Sequence, residues 1–109
     1  MKLNGQKILV IAAHPDDEVL GCGGTIAKAT EEGAEVRIAF MTDGVSARGS
    51  KFAQEQRDQR EVAAFEASRI LGAPKPRFFS FPDNELDSVP RLTLVKSIET
   101  LVSDYCPSL

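Results

Sequence analysis

The chain has 109 residues, 42% of them apolar and 27% charged, with a formal charge of −3. That length supports one hydrophobic core and is too short for two ordinary domains. The negative balance gives no electrostatic draw toward nucleic acid or an anionic membrane surface, and no apolar run approaches the ~20 residues of a membrane helix.

Met1 to Lys7 leads into a strand-like run with no small-residue cleavage site behind it, so no signal peptide is expected. Cys22 and Cys106 lie far apart and fit neither a Cys-x-x-Cys pair nor a disulfide framework. Both read as reduced, buried thiols of a cytoplasmic protein.

Ile8-Leu9-Val10-Ile11-Ala12 is a continuous apolar run that predicts a buried parallel strand. Gly21-Cys22-Gly23-Gly24 is expected to open a helix carried by Thr25 to Glu32, burying Ile26, Ala27 and Ala29 and ended by Gly33. Val36 to Met41 predicts a second strand closed by Thr42-Asp43-Gly44, and a polar loop runs from Val45 to Lys51. Phe52 to Leu71 predicts a long helix with Val62, Phe65, Ala67, Ile70 and Leu71 as apolar positions, stopped by Gly72. Arg77 to Phe81 predicts a short third strand, followed by a turn over Pro82-Asp83-Asn84-Glu85. A last helix starts near Pro90 and carries Leu94, Ile98, Leu101 and Val102 at three-to-four spacing.

Strands alternating with helices imply an α/β fold with a parallel sheet, right-handed crossovers and helices on its faces. The last helix ends near Tyr105-Cys106-Pro107 and should lead into a further strand, for which only Ser108 and Leu109 remain. Three strands are few for this class. Residues 1–109 therefore read as a single α/β domain that is the N-terminal portion of a larger one.

Chemistry concentrates just after the first strand. Ala13-His14-Pro15-Asp16-Asp17-Glu18 holds the only histidine and three of the sixteen acidic residues. In open α/β sheets, ligands bind outside the carboxyl ends of the strands. His14 and Asp17 are three apart, so a turn leaving the strand could aim both at one point. Zinc takes imidazole nitrogen and carboxylate oxygen, and a catalytic zinc usually has three protein ligands plus water. Asp16, between them, could face that water as a general base. The plainer alternative makes His14 a hydrogen-bonded turn residue, Pro15 a stiffener and the three acids a solvated helix cap.

The other motifs are weaker. Gly21 to Gly24 departs from Gly-x-Gly-x-x-Gly at Ile26 and lacks a Gly-Lys-Ser/Thr ending, so close strand–helix approach explains it better than a phosphate cradle. Asp43 closes the second strand on the same edge as His14 and is either an ordinary Asp-Gly turn or a residue supporting the metal or substrate. Arg48, Arg57 and Arg60 could reach an anionic or polyhydroxylated ligand, or be solvated charges. Asp83 and Asn84 could bond sugar hydroxyls, or cap a turn.

On these residues the chain resembles the LmbE-like (PIG-L-type) zinc de-N-acetylase family. The resemblance rests on the first strand with Ala13 to Glu18, the Gly21 to Gly24 stretch, Thr42-Asp43-Gly44, an arginine-bearing helix ending Ile70-Leu71-Gly72, and Phe81-Pro82-Asp83. These landmarks stand in family order across nearly the whole chain, and the His-Pro-Asp-Asp-Glu element is the specific one. The resemblance implies a Rossmann-like three-layer fold with a mostly parallel sheet, its C-terminal part missing here. It implies a zinc-dependent hydrolase that removes the acetyl group from an N-acetylglucosaminyl or related amino-sugar conjugate. By the same resemblance, His14 and Asp17 would be zinc ligands and Asp16 the general base. Arg60, with Arg57 as a rival one turn earlier, and Asp83 would be substrate contacts. The family's third ligand, a histidine from a later strand and loop, and its oxyanion-stabilising histidine have no counterpart in this sequence. Zinc bound by His14 and Asp17 alone would be weak unless a partner chain, an added anion or another carboxylate completes the shell. The missing strand would also leave an open sheet edge suited to pairing with a second copy. The alternative function is accordingly a catalytically inactive α/β fragment that only self-associates.

Overall fold

The computed structural model describes residues 3–42, 51–81 and 88–109. The elements in chain order are β1 (Lys7–Ala12), α1 (Asp17–Glu31), β2 (Glu35–Thr42), α2 (Lys51–Leu71), β3 (Arg77–Phe81) and α3 (Arg91–Tyr105). All three strands run parallel in the order β1-β2-β3. β2, rich in β-branched and aromatic residues, takes the centre and is continuously buried from Ile38 to Thr42, as a strand covered on both faces must be. Its register places Val36 beside Ile8, Ile38 beside Val10 and Phe40 beside Ala12.

Alternation along β2 then sorts the helices. Val36, Ile38 and Phe40 form one core with Ile26 and Ala29 of α1 and Ala64 of α2. The opposite face carries Arg37, whose guanidinium lies 4.5 Å from the ring centre of Tyr105 in α3. Tyr105 is buried, and its hydroxyl donates to the Glu35 carbonyl at 2.9 Å. The two helices of the first face meet at their carboxyl ends, where Thr30 Oγ1 donates to Leu71 O. Gly72 follows at φ +84, and a Cβ there would lie 3.0 Å from Thr30 Oγ1. Only glycine suits that corner.

The chain's last residues turn back along β1. Ser108 and Leu109 donate to Lys7 O at 2.7 and 3.2 Å, and Leu9 N–H donates to Leu109 O at 3.0 Å. These bonds are one step of a parallel ladder on the edge of β1 that faces away from β2. The tail thus lies on the far side of β1, giving the spatial order tail-β1-β2-β3. Connections run one way from β1 to β3 and then jump back across β1. In a doubly wound sheet that reversal marks the crevice where ligands bind, and β1 borders it.

Several expectations are corrected. α1 begins at Asp17, not in the glycine-rich stretch. Asp16 O accepts the N–H groups of Val19 and Leu20, and acidic Asp17 and Glu18 suit a helix amino end. The glycines instead fall inside α1, where Cys22 leaves helical geometry (φ −144, ψ 22) and kinks it. Along α2 the inward positions are Ala64 and Ser68, while Val62 and Ile70 are exposed. The buried positions are thus small residues, which apolar spacing alone does not reveal. Ala27 and Val102 likewise face solvent, and Tyr105 joins Leu101 as the buried pair of α3. β1 is half-buried rather than buried, with Ile11 exposed. The two thiols are free, but Cys22 is only half-buried and Cys106 is exposed, at the left-handed residue that ends α3.

Candidate active site

The turn after β1 is fixed to its neighbour before it presents any chemistry. Ala13 O accepts both the backbone N–H of Thr42 at 3.0 Å and its hydroxyl at 2.9 Å, and Thr42 is wholly buried at the end of β2. Pro15, also buried, stiffens the same turn.

Within it, one carboxylate oxygen gathers His14. Asp17 Oδ2 accepts the His14 backbone N–H at 3.0 Å and stands 3.3 Å from His14 Nδ1, while Asp17 N–H donates back to His14 O at 3.2 Å. Two ligands of a tetrahedral zinc, each about 2.0–2.2 Å from the ion, stand about 3.3–3.5 Å apart. The imidazole nitrogen and carboxylate oxygen have that separation, though it also serves a hydrogen bond between them. By type and spacing the donor pair fits such an ion. Among the described residues, no group of three or more His, Cys, Asp or Glu side chains converges on one point.

Asp16 takes the left-handed backbone conformation (φ 98, ψ −30), which residues with a Cβ rarely adopt. Its N–H donates to Glu18 Oε2 at 3.0 Å. Glu18 is 2% exposed, and burial raises its carboxyl pKa above the ordinary range. Backbone N–H groups of Glu18 and Asp16 oppose that rise, and the charges of Asp16 and Asp17 add to it. Burial, together with the Glu18 charge, also pushes the Cys22 thiol up. Three consecutive acids therefore sit in three different environments.

Asp16 and Pro15 form one wall of a cleft of about 340 Å³ whose other wall is Gln56, Gln59, Arg60 and Ala63 of α2. The structure thus brings His14, Asp16 and Asp17 into one turn and sets Arg60 across from Asp16. Arg57 does not line this cleft; its guanidinium donates to Gln54 Oε1 at 3.0 Å. Asp43 and Asp83, with Arg48, lie outside the described residues. A separate cavity of about 310 Å³ between the sheet and α3 includes Arg37, Arg77 and Tyr105 and none of the His14 to Glu18 turn. Sequence reasoning missed Thr42, Gln56 and Gln59, and treated Glu18 as solvated. Only the position of Thr42 at a strand end offered a signal.

Residues 9–109 match the PIG-L family, described as GlcNAc-PI de-N-acetylase. The chain belongs to this family. Among curated PIG-L relatives, diacetylchitobiose deacetylase of Thermococcus kodakarensis is 36% identical over 83 residues, covering 74% of this chain and 31% of its own. The 1D-myo-inositol 2-acetamido-2-deoxy-alpha-D-glucopyranoside deacetylase of Rhodococcus jostii is 34% identical over 85 residues, with 70% and 29% covered. The solved N,N'-diacetylchitobiose deacetylase of Pyrococcus horikoshii, in complex with its inhibitor MPG, superposes with a TM-score of 0.82 at 33% identity, covering 94% of this chain and 38% of that one. The α/β fold is therefore that of PIG-L deacetylases. The chain spans about a third of the length of these curated relatives.

Proposed function

We propose that this PIG-L chain carries part of the active site of a zinc-dependent hydrolase that removes the N-acetyl group from an N-acetylglucosaminyl or related amino-sugar conjugate. The observation that carries the reading is the 3.3 Å approach of His14 Nδ1 to Asp17 Oδ2 at the carboxyl end of β1, with Asp16 beside it facing a cleft. The names of the relatives, deacetylases of diacetylchitobiose and of an acetamido-glucopyranoside, supply the substrate class.

In this reading, His14 and Asp17 hold the metal. When bound, the ion supplies an acidified water and polarises the amide carbonyl. Asp16 takes the proton of the attacking water and returns it to the departing amine. Arg60, on the far wall of the cleft, orients sugar oxygens by charge-assisted hydrogen bonds. Asp43, next to Thr42, and Asp83, after β3, are assigned to the substrate side of the same edge. Residues 1–109 would form the N-terminal part of the deacetylase domain, acting in the cytoplasm, where two free thiols are at home. Among the described residues, no helix is long and apolar enough to cross a membrane.

Self-association is the second reading, favoured by β3 standing as an edge strand of the three-stranded sheet. Sedimentation at rising concentration checks it, and a monomer throughout removes it.

Zinc titration by calorimetry on the chain and on His14→Ala tests the main reading. The expected outcome is saturable binding by the chain, weakened by at least about 100-fold in the variant, more than the loss of an outer partner of a metal ligand costs. Equal binding by both proteins would sink the assignment of His14.

A further inference from the structure

We infer that Glu18 is the positioning residue for Asp16: its buried carboxylate holds the Asp16 backbone in the left-handed conformation that turns the Asp16 side chain into the cleft. The inference rests on the proposed role of Asp16.

The geometry restrains Asp16 from both sides. Its N–H donates to Glu18 Oε2 at 3.0 Å, and its carbonyl accepts the N–H groups of Val19 and Leu20 at 3.1 and 2.9 Å. The carbonyl bonds belong to the start of α1 and would form with almost any residue at this position. The N–H bond is different, because it requires an acceptor two residues ahead, folded back beneath the turn. A carboxyl oxygen can accept such a bond from a backbone N–H. The turn from His14 to Asp17, closed by Asp17 N–H to His14 O at 3.2 Å, shares in holding φ of Asp16 at +98; without the Glu18 bond the Asp16 amide would be unrestrained within that turn and its side chain free to shift along the cleft wall.

Glu18 does not itself meet the substrate. It is 2% exposed and is not among the residues lining the cleft that Asp16 shares with Gln56, Gln59 and Arg60. A carboxylate buried at the amino end of a helix, bonded to its neighbour's amide instead of to solvent, fits a device for backbone geometry. It acts on the chemistry only through Asp16.

Backbone amide exchange on the whole chain tests the assignment without any need for activity. In Glu18→Ala the Asp16 amide is expected to exchange at least about tenfold faster, the loss of one hydrogen bond to a charged group. The Phe40 amide, in the core of β2, should exchange as before. In Glu18→Gln an amide oxygen still accepts, so exchange at Asp16 should stay within about threefold of the parent. An Asp16 amide unchanged in Glu18→Ala overturns the inference, as does an equal acceleration at Phe40, which would make Glu18 a general stability residue. If Glu18→Ala does not fold, Glu18→Met, which keeps the bulk but no oxygen acceptor, decides: unchanged exchange at Asp16 overturns the inference. Asp16→Asn keeps the backbone bond and tests the other premise. Deacetylation surviving in Asp16→Asn would remove Asp16 as the base and leave the exchange result standing, so the two failures are separable.

Discussion

The two ends of the sheet handle the same backbone problem differently. Each strand is entered at its amino end through a left-handed residue, and before β1, β2 and β3 that residue is Gly5, Gly33 and Gly72. At the carboxyl end of β1 the left-handed residue is Asp16. Glycine takes this conformation without strain, whereas a residue with a Cβ holds it only if its surroundings insist. Where β1, β2 and β3 are entered the chain uses glycine; after β1 it sets an aspartate at positive φ, with its N–H bonded to the buried Glu18. The amino end is correspondingly well satisfied, with Tyr105 bonded to Glu35 and its ring met by Lys7 and Arg37.

Asp16→Gly is the largest test of this contrast. It removes the proposed general base and relieves the strain, so on the proposed reading deacetylation should fall by at least about 100-fold. Stability in urea should be unchanged or raised by up to about 1 kcal/mol. A clear loss of stability would mean that Asp16 is structural and the contrast false. The reverse change at the amino end, Gly72→Ala, adds a Cβ at φ +84 against Thr30. It should cost about 1–2 kcal/mol in urea unfolding and leave zinc titration untouched.

Tyr105→Phe is the mildest of the three, at about 1 kcal/mol for the lost bond to Glu35 O. It also carries a pH signature. Burial raises the Tyr105 pKa from 10.0, the Glu35 charge and the bond to Glu35 add to the rise, and Arg37 opposes it. The folded state thus grips the phenolic proton more tightly than the unfolded chain does. The resulting stability is complete below the unfolded value and is lost as pH climbs through the raised folded one. Thermal unfolding between pH 9 and 11, about the ordinary tyrosine range, should show a smaller alkaline decline in Tyr105→Phe than in the parent.

Much of the fold was legible because its signals are local. Apolar runs marked β1, β2 and β3, and Gly33 and Gly72 marked where α1 and α2 stop. The start of α1 was hidden, because glycine is a poor helix former and the Gly21 to Gly24 stretch reads as a boundary. The inner face of α2 was hidden too, since Ala64 and Ser68 carry little apolar signal. In the site, the three-residue spacing of His14 and Asp17 foretold their meeting. The burial of Glu18 could not be foretold, because solvation at a helix start depends on what packs over it.

The tail on β1 bears on how the molecule assembles. Its bonds join Lys7 to Ser108, residues 101 apart in sequence, so they close only once almost everything between them is in place. Every strand pairing in this sheet also waits on a crossover helix, since parallel neighbours cannot be joined by a tight turn. Such non-local topologies fold slowly. The strand that leads into His14 thus gains these outer-edge bonds only after a segment 101 residues later in the sequence has returned to it.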